Sequence, residues 1–292
     1  LHLLSRRQRQ MCIRDSIGVT SSPTWENHDS LLEMSGFKVA HYDYYDSETK
    51  TLDVERMLKS LRQLPRKSVV VLHACCHNPT GYDLTLDQWK EVIEICRKGQ
   101  LIPLLDMAYQ GFKSGLPEDA QAVRLFAESD LDFLVASSFS KSFNLYGERV
   151  GSLNVVTKST NQAQNVLTQL ESIIRSTYSM GPTFGARIVQ EVLSDSILRA
   201  QWEAEVTQMR ERIHQMRQSL YLELKRFNLK RDFYFLTQQV GMFSYTGLSA
   251  REVDRLAKDF AIYLVRNGRM CVCGLNPHNV HYVAESIATV ID

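Results

Sequence analysis

Apolar residues in this chain fall into two rhythms that take turns. Nearly continuous apolar runs at residues 68–72, 101–106 and 131–135 read as strands buried on both faces. Between them, apolar positions recur every three or four residues. Leu86, Trp89, Val92, Ile93 and Cys96 share one helix face, with Thr85 or Asp83 placed to cap it and Gly99 to end it. Similar spacing predicts helices over 31–36, 52–63 and 120–128, and further strands fall at 37–44 and 152–156. This β-α-β rhythm predicts a parallel sheet with helices on both faces, a three-layer αβα architecture.

Beyond residue 156 the rhythm becomes helical. Ile197, Val206, Ile213, Leu220 and Leu224 hold one face of a single long helix, which reads as core packing. Strands at 241–245 and 262–265, a helix over 251–260 and a closing helix from Asn279 predict a smaller α+β domain. The expected organisation is therefore a separate segment over 1–16, a large domain over 17–208 and a small C-terminal domain over 209–292.

Three polar clusters follow buried strands: Asn78 in HACCHNPTG, Asp106 and Tyr109 in DMAYQGF, and Lys141 in ASSFSKSFNLYGERVG. Strand ends of a doubly wound sheet lie along one edge, so residues far apart in sequence can converge there. A lysine held between strand end and loop can be desolvated, which lowers its pKa and frees the amine to attack a carbonyl. The surrounding hydroxyls, Ser138 among them, and Arg149 suit a phosphate. The bland alternative is an ordinary lysine in a serine-rich loop. The S-x-x-K of penicillin-binding serine nucleophiles also matches residues 138–141, but its S-D-N and K-T-G partners occur nowhere in the chain.

Composition narrows the classes. With 34 Lys and Arg against 33 Asp and Glu, the net charge of +1 gives no overall electrostatic case for nucleic acid or a membrane surface, and no apolar run reaches the length of a membrane span. Six cysteines, including the adjacent Cys75 and Cys76 and the C-x-C of Cys271 and Cys273, do not form a secreted disulfide ladder. A reducing, cytoplasmic compartment is expected. His73, Cys75, Cys76 and His77 are too crowded along one extended segment to converge on a tetrahedral metal, so no metal site is expected.

A pyridoxal phosphate site needs a lysine, an acid for the pyridine nitrogen, donors for the ring oxygen, an aromatic plate and phosphate anchors. Lys141, Asp106, Tyr109 with Asn78, Trp25, and Ser138 with Arg149 would fill these roles in turn. Together WENH, CCHNPTG, DMAYQGF, SFSKSFNLYGERVG, IIRSTYS, GMFSYTGLS and GRMCVCGLN resemble the aspartate/aromatic amino acid aminotransferase family, pyridoxal phosphate fold type I, most nearly its bacterial tyrosine (aromatic) branch. The resemblance extends from Ile17 to the C-terminus.

The resemblance implies that Lys141 binds pyridoxal 5′-phosphate covalently and then moves a proton at the substrate Cα. It implies that Asp106 pairs with the pyridinium nitrogen with His28 and His73 behind it, that Asn78 and Tyr109 bond the ring oxygen, that Trp25 stacks on the ring, and that Ser138 and Arg149 hold the phosphate. Trp25 and Asn78 would also face the substrate. Arg269 would clamp its α-carboxylate through a bidentate fork. Arg175 would reach into the neighbouring subunit of a homodimer to meet a dicarboxylate side chain, which implies glutamate and 2-oxoglutarate as one substrate pair. An aromatic and an aspartate enzyme both fit this pattern.

Residues 1–16, LHLLSRRQRQMCIRDS, carry no family motif. They stand where the family has its N-terminal arm, a glycine-bearing phosphate loop and a tyrosine given to the neighbour's phosphate. Foreign sequence is the expected reading of them, with a basic targeting arm as the alternative. Two expectations follow: an aminotransferase, or a catalytically silent fold type I remnant lacking its phosphate cup.

Overall fold

The computed structural model describes residues 16–291, so the segment expected over 1–16 lies, except for Ser16, outside the described residues. The chain begins β1 (Ile17–Ser22), α1 (Glu26–Met34), β2 (Lys38–Asp43), then a small antiparallel pair, β3 (Tyr45–Asp46) and β4 (Thr51–Leu52). It continues α2 (Val54–Arg62), β5 (Val69–His73), α3 (Leu86–Gly99), β6 (Ile102–Met107), α4 (Leu116–Asp119), α5 (Gln121–Ala127), β7 (Phe133–Ser138) and β8 (Gly151–Val156). Six of these strands form one sheet in the order β2-β1-β5-β6-β7-β8. From β2 to β7 every pairing is parallel.

The last strand departs from the expected rhythm, because β8 runs antiparallel to β7. A parallel return needs a crossover, usually a helix, and residues 139–150 supply only turns. The order also reverses once: the chain leaves β1 for β2 on one side and resumes with β5 on the other. A crevice therefore opens beyond the carboxyl ends of β1 and β5, the place where such sheets bind ligands.

Local signals explain the helix that follows β5. In α3 the Thr85 hydroxyl accepts from the Gln88 backbone N–H while the Gln88 side chain accepts from Thr85 N–H, a reciprocal cap. Trp89, Val92, Ile95 and Cys96 are its buried face. Ile95 takes the inward place that the spacing gave to Ile93, and Leu86 is left exposed in the first turn.

The remainder is α6 (Thr160–Thr177), α7 (Phe184–Ser194), α8 (Ser196–Arg226), β9 (Phe243–Tyr245), α9 (Ala250–Phe260), β10 (Arg269–Cys271) and α10 (Val280–Ile291). The strand expected at 262–265 is irregular chain, and β10 instead pairs antiparallel with β9. Helix α8 runs 31 residues without a break through the expected boundary at 208/209. Two cores result. One packs Met57, Leu61, Val92, Leu105 and Phe126 between the sheet and its helices, and the other packs Leu220, Leu256, Val272 and Ala284 with Tyr109 and Phe112 from below the β6 end. Each large aliphatic side chain among them contributes about 1.5–3 kcal/mol on burial, so the second core ties the C-terminal helices to the residues that follow β6.

One carboxylate fixes the turn after β6. Asp119 Oδ2 accepts from Gly111 N (2.8 Å) and Lys113 N (3.0 Å), and its Oδ1 from Ser114 N (2.9 Å) and Gly115 N (3.4 Å). Removing it strands several buried donors, which cost about 1–3 kcal/mol each unless water reaches them. Asp119→Ala is accordingly expected to lower unfolding stability by about 3 kcal/mol, as read by urea denaturation. An unchanged midpoint would show that the turn holds itself.

Candidate active site

Register alone brings the first pair of groups together. His73 at the end of β5 lies directly opposite Asp106 on β6, and Asp106 in turn opposes Ala136 on β7. From β1 the chain turns at Trp25, the N-cap of α1, so that His28 in the first turn of that helix points back at the sheet. His28 Nε2 meets Asp106 Oδ2 at 3.0 Å, with His73 Nδ1 4.0 Å from the same oxygen. Thr24 Oγ1 bridges the two imidazoles, 2.9 Å from His28 Nδ1 and 3.4 Å from His73 Nε2.

Burial alone would raise the Asp106 carboxyl, but the hydrogen bond from His28 and the nearby charge of Lys141 hold it below the usual carboxylate range. His73 is driven the other way, well below the usual imidazole range, first by burial and then by His77. An ionised carboxylate thus stands at the mouth of the sheet with a neutral imidazole behind it.

Lys141 follows β7 in a turn and is half-buried. Its Nζ lies 4.8 Å from the centre of the Tyr109 ring and 5.7 Å from that of Tyr146. Burial lowers its pKa, Arg149 lowers it further, and Asp106 opposes both; the result is an amine below the ordinary lysine value. Tyr109 is pushed up by burial and then by Asp106, so its phenol keeps its proton and can donate.

Arg269 enters from β10. Its Nη1 donates to Asn78 Oδ1 at 3.0 Å, and its guanidinium lies 4.8 Å from the centre of the Phe243 ring, which meets the edge of Tyr109 with centroids 5.8 Å apart. Asn78 itself is buried after β5. Trp25 is 39% exposed and meets His28 edge-on, with ring centroids 5.2 Å apart. Ser138 ends β7, and the exposed Arg149 lies with its Nη1 on Tyr146 O at 2.9 Å and its guanidinium 5.5 Å from the Tyr146 ring. The structure therefore gathers Trp25, His28, His73, Asn78, Asp106, Tyr109, Lys141 and Arg269 through direct side-chain contacts, with Ser138 and Arg149 at the rim.

Arg175 is not gathered with them. It lies in the last turn of α6, exposed, and donates from Nη1 to Ser179 Oγ at 2.6 Å. Two contributors carried no assignment from sequence: Phe243 under Arg269 and Tyr146 beside Lys141. Both lie inside recognisable motifs, yet only the cation over each ring distinguishes them from core aromatics.

The metal question takes a different form in three dimensions. Ligand atoms of Cys75, Cys76 and Asp119 lie within 4.8 Å of one another, whereas His77 turns away to Ser21 Oγ and Thr80 Oγ1. Asp119 already accepts four backbone N–H bonds, which fills a carboxylate's capacity, and burial pushes the Cys76 thiol well up, against the thiolate a metal needs.

The site's donor set fits pyridoxal 5′-phosphate: an ionised acid for a pyridinium nitrogen, a depressed amine for a carbonyl carbon, a protonated phenol and a buried amide for the ring oxygen. The charges around Lys141 also make a signed prediction. Asp106→Asn removes the charge that raises the Lys141 pKa and is expected to lower it further, whereas Arg149→Gln is expected to raise it. Chemical labelling of Lys141 as a function of pH, resolved by mass spectrometry, reads both; shifts of the same sign in the two variants would refute the charge arrangement.

Comparison with known proteins agrees with this geometry. A family model described as aminotransferase class I and II matches residues 8–287. The chain is 50% identical over 277 residues to an aspartate aminotransferase of Pseudomonas aeruginosa, covering 95% of this chain and 70% of that protein. It is 51% identical over 271 residues to an aromatic-amino-acid aminotransferase of Escherichia coli, covering 93% and 68%. An aromatic-amino-acid aminotransferase from Burkholderia pseudomallei, solved covalently bound to pyridoxal phosphate, superposes with a TM-score of 0.93 at 46% identity, over 97% of this chain and 73% of that one. With a matching family model over nearly its whole length and a strand-end site built for that chemistry, the chain belongs to the class I and II aminotransferase family.

Proposed function

We propose that this chain exchanges an amino group between an aromatic amino acid, tyrosine or phenylalanine, or an acidic one, and 2-oxoglutarate, with Lys141 as the residue that carries pyridoxal 5′-phosphate. The observation that carries the reading is the convergence of Asp106, Tyr109 and Lys141 with Arg269 beyond one sheet edge. Aspartate as the preferred donor is the second reading, favoured by relatives of both names at 50% and 51% identity.

When bound, the cofactor supplies a pyridinium ring that withdraws electrons from the substrate Cα. Asp106, kept ionised by His28, holds the proton on the ring nitrogen. Trp25 would lie against the ring, and Tyr109 and Asn78 would donate to its oxygen. Ser138 and Arg149 bind the phosphate. Lys141, a neutral amine at lower pH than an ordinary lysine, takes the proton from the substrate Cα as a general base. Arg269 keeps N–H groups beyond the one bound to Asn78, which suits a bidentate grip on the α-carboxylate.

Arg175 belongs to this proposal as the residue that serves a second copy's site and meets a dicarboxylate. Its support is local: α6 buries none of its residues, and Leu153, Leu167, Ile173, Met180 and Phe184 are exposed around it, as a homodimer contact would leave them in one copy. A large domain over 17–208 and a small one over 209–292, joined through α8, complete the proposed organisation. Cytoplasmic location is proposed on Cys75, Cys76, Cys96, Cys271 and Cys273, all of them free thiols.

An absorbance spectrum of the purified chain with pyridoxal 5′-phosphate tests the reading. A visible band that is lost in Lys141→Ala and changes on adding glutamate is expected. A folded protein with no such band would make this chain a silent remnant of its family. Turnover of tyrosine and phenylalanine against aspartate, with 2-oxoglutarate as acceptor, then assigns the substrate class; activity with aspartate alone would overturn the aromatic assignment.

A further inference from the structure

Arg217 is a cation buried to 2% exposure in the middle of α8, and among the described residues no carboxylate is paired with it. Burial lowers its pKa to about 10. Its hydrogen bonds all go to one short piece of chain: Nη2 to Gly241 O (2.6 Å) and Phe243 O (3.2 Å), and Nε to Ser244 Oγ (3.2 Å). A buried guanidinium with only neutral partners is costly, and an apolar side chain of like size would pack there more cheaply. What the arginine adds is a rigid planar fork, with Nη2 on two alternate carbonyls and Nε on the Ser244 hydroxyl.

The strand it holds needs that support. β9 has three residues and pairs only with the three-residue β10, and an isolated two-stranded ribbon is marginal in water. Buried Gln239 grips the same strand from its amide, donating to Tyr245 O (3.0 Å) and accepting from Tyr245 N (3.1 Å), in the manner of a missing neighbour strand. Arg269 opposes Tyr245 in the ladder, so fixing β9 fixes the base of the Arg269 side chain. Between the two carbonyl grips stands Phe243, whose ring lies under the Arg269 guanidinium and against Tyr109. Gly241, at φ +79° and with Cys76 Cβ only 2.6 Å from where its own Cβ would lie, lets the chain pass close enough for the grip.

We infer that Arg217 is the positioning residue of the substrate-carboxylate clamp: by pinning β9 it sets where Phe243 and Arg269 stand, without itself touching substrate. The inference rests on the assignment of Arg269 as that clamp. It predicts a loss in carboxylate binding and not in the proton-transfer step, because Lys141 and Asp106 are held by β6, β7 and α1.

The test uses the protein loaded with pyridoxal 5′-phosphate, comparing Arg217→Lys and Ser244→Ala with Arg269→Lys. The readouts are the Kd of maleate by calorimetry, the KM for 2-oxoglutarate, kcat and the unfolding midpoint. Arg217→Lys, which loses the fork, is expected to raise Kd and KM about tenfold with kcat nearly unchanged and the cofactor absorbance of the parent. Ser244→Ala, which removes one acceptor from the fork, is expected to shift both by about threefold in the same direction, and it decides alone if the first variant does not fold. Parental Kd and KM in the folded variants, or a fall in kcat with KM unchanged, would overturn the inference and leave Arg217 a structural tie. If Arg269→Lys itself leaves maleate binding unaltered, the assignment of the clamp fails, and this inference with it.

Discussion

An ionised carboxylate at the end of a buried parallel strand is the constraint around which the site is arranged. Asp106 cannot remain charged there without a donor, and His28 provides it at 3.0 Å while Thr24 and His73 fix the imidazole from behind. Each of these depends on the sheet. His73 is aligned by register with Asp106, and His28 returns from the first turn of a helix that begins where β1 ends. The same charge raises the Lys141 pKa against burial and Arg149, and raises that of Tyr109. Burial is the larger influence on both, and the one carboxylate opposes it at Lys141 and adds to it at Tyr109.

The second half of the site is built on different terms. Asp106 lies on a strand of the six-stranded sheet and Asn78 and Lys141 follow two others, but Arg269 is carried by a ribbon of two three-residue strands. Its position is secured from outside the ladder, by side chains of α8 and of the segment before β9. The two halves meet through aromatic rings, Tyr109 against Phe243, and through the bond from Arg269 to Asn78. An arginine on so small a sheet would otherwise sample many orientations, at a cost in binding.

Much of this was legible in the sequence because buried parallel strands announce themselves as apolar runs, and the polar residues that close them mark the sheet edge. Residues 68–72 led to Asn78, 101–106 to Asp106 and 131–135 to Lys141, and the structure brings these three ends together. The direction of β8 was not legible, since residues 152–156 have the same apolar content either way and only the lack of a helix over 139–150 decides it. Arg269 was singled out by its motif, but a strand was expected at 262–265 and none at Arg269–Cys271, because three residues are too few to show a period. The tasks of Phe243, Tyr146 and Arg217 depend on contacts between residues far apart in the chain, which no local pattern records.

The central claim is that Asp106 holds a charged partner on the nitrogen of the bound ring. Nitrogen-15 resonance of pyridoxal 5′-phosphate labelled at the ring nitrogen, bound to the protein near neutral pH, measures it directly. The account predicts a protonated-nitrogen resonance in the parent protein and its loss in Asp106→Asn. An unprotonated nitrogen in the parent would contradict it.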